Sequence, residues 1–225
     1  MPALGLLRRF AAAAVVTLVA GTATAQGSPA QGSPALAFDP SAGVVASPAG
    51  QNIGWRFDVL SSMTVVGLGW FDDAGDGLVL SHQIGLWDNT GTLLASATVS
   101  AGTTDPLVGQ FRTAGINPLV LAAGMGYTIG GYTTATAAGQ DPFYFNAPYT
   151  TDPSVAYTGA VYSNFTPSFG RPTQSSSAVS GFFGPSFSVT PNVPNVSAVP
   201  EPATVALVGG GMLVLGLGAR RRVRA

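Results

Sequence analysis

From Ile53 to Val189 the chain is divided into short apolar segments that no helical period joins. "IGWRFDVL", "MTVVGLGWF", "HQIGLWD", "LLASATVS", "GQFRTAGI", "YTIGGYT", "VAYTGAVY" and "SGFFGPSFSV" follow one another, punctuated by Gly, Asn, Asp, Ser or Pro. In the first, Trp55, Phe57 and Val59 alternate with Arg56 and Asp58, the period-two pattern of a strand with one buried face. Such segments suit antiparallel sheets and exclude a helical bundle. The expected fold is therefore all-β: a single antiparallel β-sandwich or jelly-roll-like domain over residues 36–189. Trp55, Phe57, Trp70, Trp87 and Tyr127 are expected in its core.

Composition removes several functions. Three arginines of this body (Arg56, Arg112 and Arg171) face nine aspartates, a net charge of −6, and the chain has no lysine. Phosphate binding needs clustered cations, so this surface argues against nucleic acid as a partner. With no cysteine, disulfides, thiolate metal sites and a cysteine nucleophile are all ruled out. A domain of about 150 residues buries roughly 68–70% of its unfolded surface and needs no covalent staple.

The two ends read as addresses. "MPALGLLRRF" supplies a positive start, Phe10 to Ala20 an apolar stretch, and Ala23 and Ala25 a small-x-small cleavage site. Residues 1–25 are expected to be a signal peptide handled by the Sec machinery. A flexible leader follows over 26–35, where "QGSPA" occurs twice, and a Pro/Asn-rich linker spans 190–199. The chain then closes with Pro200-Glu201-Pro202, an uncharged run from Ala203 to Ala219, and Arg220, Arg221, Arg222 and Arg224. As a helix of about 1.5 Å per residue, 203–219 would reach roughly 25 Å, enough for a membrane segment whose arginines snorkel to the far headgroups. The positive-inside rule places those arginines in the cytoplasm and the tripeptide outside, in agreement with the signal peptide.

These three features in this order resemble the PEP-CTERM sorting signal of Gram-negative bacteria, also known as the ice-binding protein C-terminal domain. The resemblance implies that an exosortase-type membrane enzyme recognises Pro200, Glu201 and Pro202. It also implies release from the cytoplasmic membrane toward the cell surface and its exopolysaccharide. Ice binding itself is disfavoured, because the body lacks regular threonine repeats. From Gly54 to Tyr132 the body resembles a domain of undefined function common in secreted bacterial proteins. That domain shows a Trp/Phe strand, a "FDDGGDGL"-like loop, an H-x-[IV]-G-[LI]-[WY] strand and G-x-L-L-A. Here they are "GWRF", "FDDAGDGL", "HQIGLW" and "GTLLA", with Ala74 where a second glycine is commoner. The likeness implies a β-sandwich and no particular activity.

Two places could carry chemistry. "FDDAGDGL" concentrates Asp72, Asp73 and Asp76 beside bend-forming glycines, and Asp88 follows one strand later. An oxygen-rich loop of this kind suits calcium, although it lacks the ligand spacing of an EF-hand. The alternative is a solvated Asp-Gly turn. His82, the single histidine, shares a strand face with Ile84 and Leu86, which favours a partly buried residue bonded to a neighbouring loop over a catalytic base. There is no G-x-S-x-G elbow, Walker loop or dinucleotide fingerprint, and no catalytic residue is assigned. Tyr- and Phe-bearing loops such as "QDPFYF" and "TDPSVAY" could stack on sugars or close the ends of the sandwich. The leading expectation is an exported, non-enzymatic surface or extracellular-matrix protein sorted by an exosortase. A polysaccharide-binding module, with calcium as its one candidate cofactor, and a surface hydrolase are the alternatives.

Overall fold

The computed structural model describes residues 32–47, 49–134, 141–164 and 167–191. The signal segment with Ala23 and Ala25, the first part of the leader, and the sorting segment with Pro200–Pro202, residues 203–219 and the four arginines lie outside the described residues.

In chain order the strands are β1 (Ser33–Pro34), β2 (Leu36–Phe38), β3 (Val44–Ala46), β4 (Asn52–Val59), β5 (Met63–Phe71), β6 (His82–Trp87), β7 (Leu93–Val99) and β8 (Leu107–Val108). They continue with β9 (Phe111–Leu121), β10 (Gly124–Tyr132), β11 (Phe143–Phe145), β12 (Tyr149–Thr151), β13 (Val155–Tyr162), β14 (Gln174–Ser176) and β15 (Pro185–Pro191). One sheet has the order β1-β15-β5-β9-β8 and the other β14-β13-β4-β10-β6-β7. Two small ribbons, β11-β3 and β12-β2, complete the strands.

The order identifies the architecture. If β1, β4, β5, β6, β7, β9, β10 and β15 are counted one to eight, the first pairs with the eighth, the second with the seventh, the third with the sixth and the fourth with the fifth. That is one long antiparallel hairpin rolled into two sheets, the jelly-roll arrangement. Chain turns such as Leu60–Ser62, between β4 and β5, therefore pass from one sheet to the other, which is why consecutive segments are so short.

The alternation in "IGWRFDVL" decides which face is dry. Trp55 and Phe57 point between the sheets and meet Phe187 of β15 at ring distances of 5.6 and 4.9 Å. Trp55 Nε1 donates to the Pro185 carbonyl across the same gap at 3.0 Å, so the indole's one polar atom is satisfied. Each such side chain removed from water contributes about 1.5–3 kcal/mol. Trp70 is also fully buried in this core, and Tyr127 stacks on Phe57 at its margin.

Three details differ from the sequence-based expectation. The ordered body begins before residue 36, because Ser33 and Pro34 pair with Val189 and Ser188 and Ala35 is fully buried. A Ser-Pro repeat carries no apolar pattern, yet proline is admissible on a sheet edge. At the other end β15 runs on to Pro191, opposite Met63, so the first residues assigned to the linker belong to the sheet. Trp87 is buried, but on the outer face of the six-stranded sheet rather than between the sheets, since it falls on the strand face opposite His82, Ile84 and Leu86.

Candidate functional site

The connection from β5 to β6, residues 72–81, crosses between the sheets and carries three of the four aspartates singled out as calcium ligands in the sequence. It is fastened at its start by a buried ion pair and at its far end by a buried His–Asp hydrogen bond. At its start Asp72 accepts Arg112 Nε at 2.6 Å, and its two oxygens accept the Gly77 N–H at 3.1 Å. Arg112 reaches it from β9 because Trp70 and Arg112 face each other in the β5–β9 ladder, next to the Phe71–Phe111 pair. The remaining guanidinium nitrogens donate to the Gly75 carbonyl at 2.6 Å and the Asp105 carbonyl at 3.3 Å. One cation thus closes the acidic loop onto the neighbouring strand.

At the far end His82 is fully buried and lies flat on Trp70, with ring centroids 4.0 Å apart and an interplanar angle of 5°. Its Nε2 meets Asp141 Oδ2 at 2.8 Å and its Nδ1 meets the Tyr132 carbonyl at 3.0 Å. A backbone carbonyl only accepts, so Nδ1 carries a proton. Asp141 also accepts the N–H groups of Val79 and Leu80 at 2.7 and 2.9 Å. Burial would push this carboxyl up, but the His82 bond and the two backbone donors outweigh it and hold Asp141 below the usual range. His82 is therefore bonded to a neighbouring loop, as its strand face suggested, and is fully rather than partly buried.

The four candidate calcium ligands are not brought together. Asp72 points inward to Arg112, Asp73 and Asp76 are exposed, and Asp88 serves the β6–β7 turn. There its carboxylate accepts the Thr90 hydroxyl at 2.7 Å and the N–H groups of Thr90 and Thr92 at 2.9 Å. The Thr90 hydroxyl, ahead of the backbone donors, holds Asp88 below its ordinary value. Among the described residues no group of three or more histidines and carboxylates is placed to hold a metal ion.

Sequence reasoning did not assign the partners Arg112 and Asp141. They lie 40 and 59 residues from the groups they bond, and only the fold joins them. One signal was available for Arg112, as one of just three cations in an acidic body.

The loop also explains why Ala74 stands out. It has φ +67° and ψ −9°, the left-handed conformation that glycine adopts without cost. Ala74→Gly is expected to stabilise the protein by about 1 kcal/mol, since relief of a left-handed penalty of roughly 1–2 kcal/mol exceeds the added chain entropy of the unfolded state. Denaturant unfolding measures it; a destabilised Ala74→Gly variant would show that the alanine conformation carries no such cost.

Comparison with known proteins places two regions. Residues 37–183 match the model of a family described as a domain of unknown function, DUF4082. Residues 198–222 match the PEP-CTERM protein-sorting motif, which marks an exported, membrane-processed protein. No curated protein and no solved structure matches the chain.

Proposed function

The chain belongs to the DUF4082 family, and from that premise we propose that it is a non-enzymatic surface or extracellular-matrix protein, delivered by an exosortase-type enzyme that acts at its tail. The observation that carries this reading is the sorting motif over 198–222, in which Pro200-Glu201-Pro202 precedes the apolar run and the arginines. Proline has no N–H to donate and restricts the residue before it, so the Pro-Glu-Pro sequence suits recognition by a membrane enzyme better than helix continuation. Arg220, Arg221, Arg222 and Arg224 then fix the orientation.

The body supports a passive role in this scheme. The single histidine has both ring nitrogens committed to Asp141 and Tyr132 and lies against Trp70, an arrangement suited to holding a loop rather than moving protons. The acidic loop is satisfied by Arg112, which favours a structural use of Asp72 over calcium ligation. A second reading, in which the body holds matrix polysaccharide, draws on the outer face of the six-stranded sheet.

The sorting step is tested with a tagged chain in a host that carries an exosortase. Pro200→Ala and Glu201→Ala are each expected to leave the C-terminal segment attached and the protein in the cytoplasmic membrane. Processing of both variants at the unaltered rate would overturn recognition of the tripeptide.

A further inference from the structure

The outer face of the six-stranded sheet has a floor of glycines. Gly54, Gly130 and Gly85 stand opposite one another across β4, β10 and β6. Beside them runs a second row on the same face, Arg56, Thr128 and Trp87, also in register. Three strands at about 4.8 Å spacing make this row roughly 10 Å long from guanidinium strand to indole strand.

A strap of the chain's own residues, 167–173, lies in this groove. Phe169 covers the indole of Trp87 at a ring distance of 5.6 Å. Pro172 sits on the glycine floor so closely that a Cβ on Gly130 would come within 2.6 Å of its Cδ, and one on Gly85 within 2.8 Å of Phe169 Cζ. At the other end the Thr173 carbonyl accepts Arg56 Nη2 at 3.2 Å, while Ser175 Oγ accepts Nη1 at 2.8 Å. Asn52 tethers the strap by donating to the Ser168 carbonyl at 3.0 Å and accepting the Gly170 N–H at 2.8 Å.

The fit is incomplete in the middle. Thr128, between Arg56 and Trp87 in this row, is fully buried, and its hydroxyl has no hydrogen-bond partner among the described residues. Buried polar groups are nearly always satisfied, and this open hydroxyl stands in register between a cation and an indole, where a bound hydroxyl could pair with it. Arg56 is also only partly matched. It has no carboxylate in ion-pair range among the described residues, and Asp58, the acid nearest to it along β4, accepts the Gly126 N–H. A neutral carbonyl stands where a guanidinium would bind a carboxylate with two charge-assisted bonds.

We propose that this row is a binding groove for an acidic polysaccharide, kept closed by strap 167–173 acting as an internal stand-in. Trp87 offers the stacking platform for a sugar ring, Thr128 a hydroxyl partner, Arg56 the partner of a uronate carboxylate, and the glycines let a chain lie close to the backbone. The groove is a sheet face rather than an edge, so a peptide could not add to it as a strand. The idea deepens the reading of the protein as a matrix component by naming what its body holds.

The test uses the purified full chain in mild detergent, titrated calorimetrically with polygalacturonate, with neutral dextran and with polyglutamate. Phe169→Ala uncovers the indole and is expected to bind polygalacturonate about 10-fold tighter than the unaltered chain, as removal of a competing closed state requires. Pro172→Ala provides a second opened variant should the first fail to fold. Adding Arg56→Gln to either is expected to remove most of the gain for polygalacturonate. No gain in a folded opened variant, a gain that survives Arg56→Gln, or equal affinity for polyglutamate would each overturn the proposal. A chain that is processed normally at its tail yet binds no glycan would sink the groove alone and leave the sorting reading intact.

Discussion

Arg112→Met is expected to lower the melting temperature of the body by roughly 6–20 °C. The substitution leaves Asp72, whose side chain is 1% exposed, with only the Gly77 N–H as a partner. Removing one member of a buried ion pair costs about 3–5 kcal/mol, and in a domain of this size each kcal/mol moves the midpoint by about 2–4 °C. The guanidinium also releases the Gly75 and Asp105 carbonyls, so the acidic loop loses its anchor on β9. Asp72→Asn is expected to destabilise in the same direction, and the double variant Asp72→Asn/Arg112→Met to recover part of the loss, because no bare charge then remains buried. Millimolar calcium is expected to leave all of these midpoints unchanged. A calcium-dependent rise in the unaltered protein that Asp72→Asn abolishes would return Asp72 to the role of metal ligand.

A loss of similar size is expected at the other end of the same connection. Asp141→Ala removes the acceptor of the fully buried His82 Nε2 and of the part-buried Val79 and Leu80 N–H groups. About 3–5 kcal/mol of stability should disappear. The pH dependence distinguishes this carboxylate from a bystander. Its folded value lies below the 3.8 of the free side chain, so the unfolded chain takes up the proton more readily. Its contribution is therefore full above about pH 4 and is lost as the pH falls through the folded value. Asp141→Asn should flatten the acid limb of the stability curve relative to the unaltered protein. An acid limb of unchanged steepness in that variant would mean that Asp141 is not held by these bonds.

The fold was legible in the sequence wherever turn residues bound an alternating run. "MTVVGLGWF" is β5 from end to end and "VAYTGAVY" is β13, because each is bracketed by residues that cannot continue a ladder. The role of His82 was legible for the same reason, since period two put it on the face of Ile84 and Leu86. What stayed hidden depends on distant pairing. Asp72 looked like an oxygen donor because its cation lies on another strand, and Asp141, in the "QDPFYF" stretch that stands out for its aromatics, meets His82 only through pairing 59 residues apart. Trp87 was placed correctly as buried but on the wrong side, because what buries it is strap 167–173 and not the opposing sheet. The polar and glycine rows on the outer face become visible only when three strands are aligned.

These assignments give the two halves of the chain separate tasks. Among the described residues, the buried ion pair and the His82–Asp141 bond are made within the jelly roll, and the tail carries the sorting motif. Intact-mass measurement of the mature protein tests that division most directly, with material taken from the same host with and without its exosortase. With the enzyme, the chain is expected to lack residues 1–25 and the segment following Pro200–Pro202. Without the enzyme it should lack only residues 1–25 and remain in the membrane fraction. The same C-terminal mass in both hosts would contradict the assignment of the tail as an exosortase substrate.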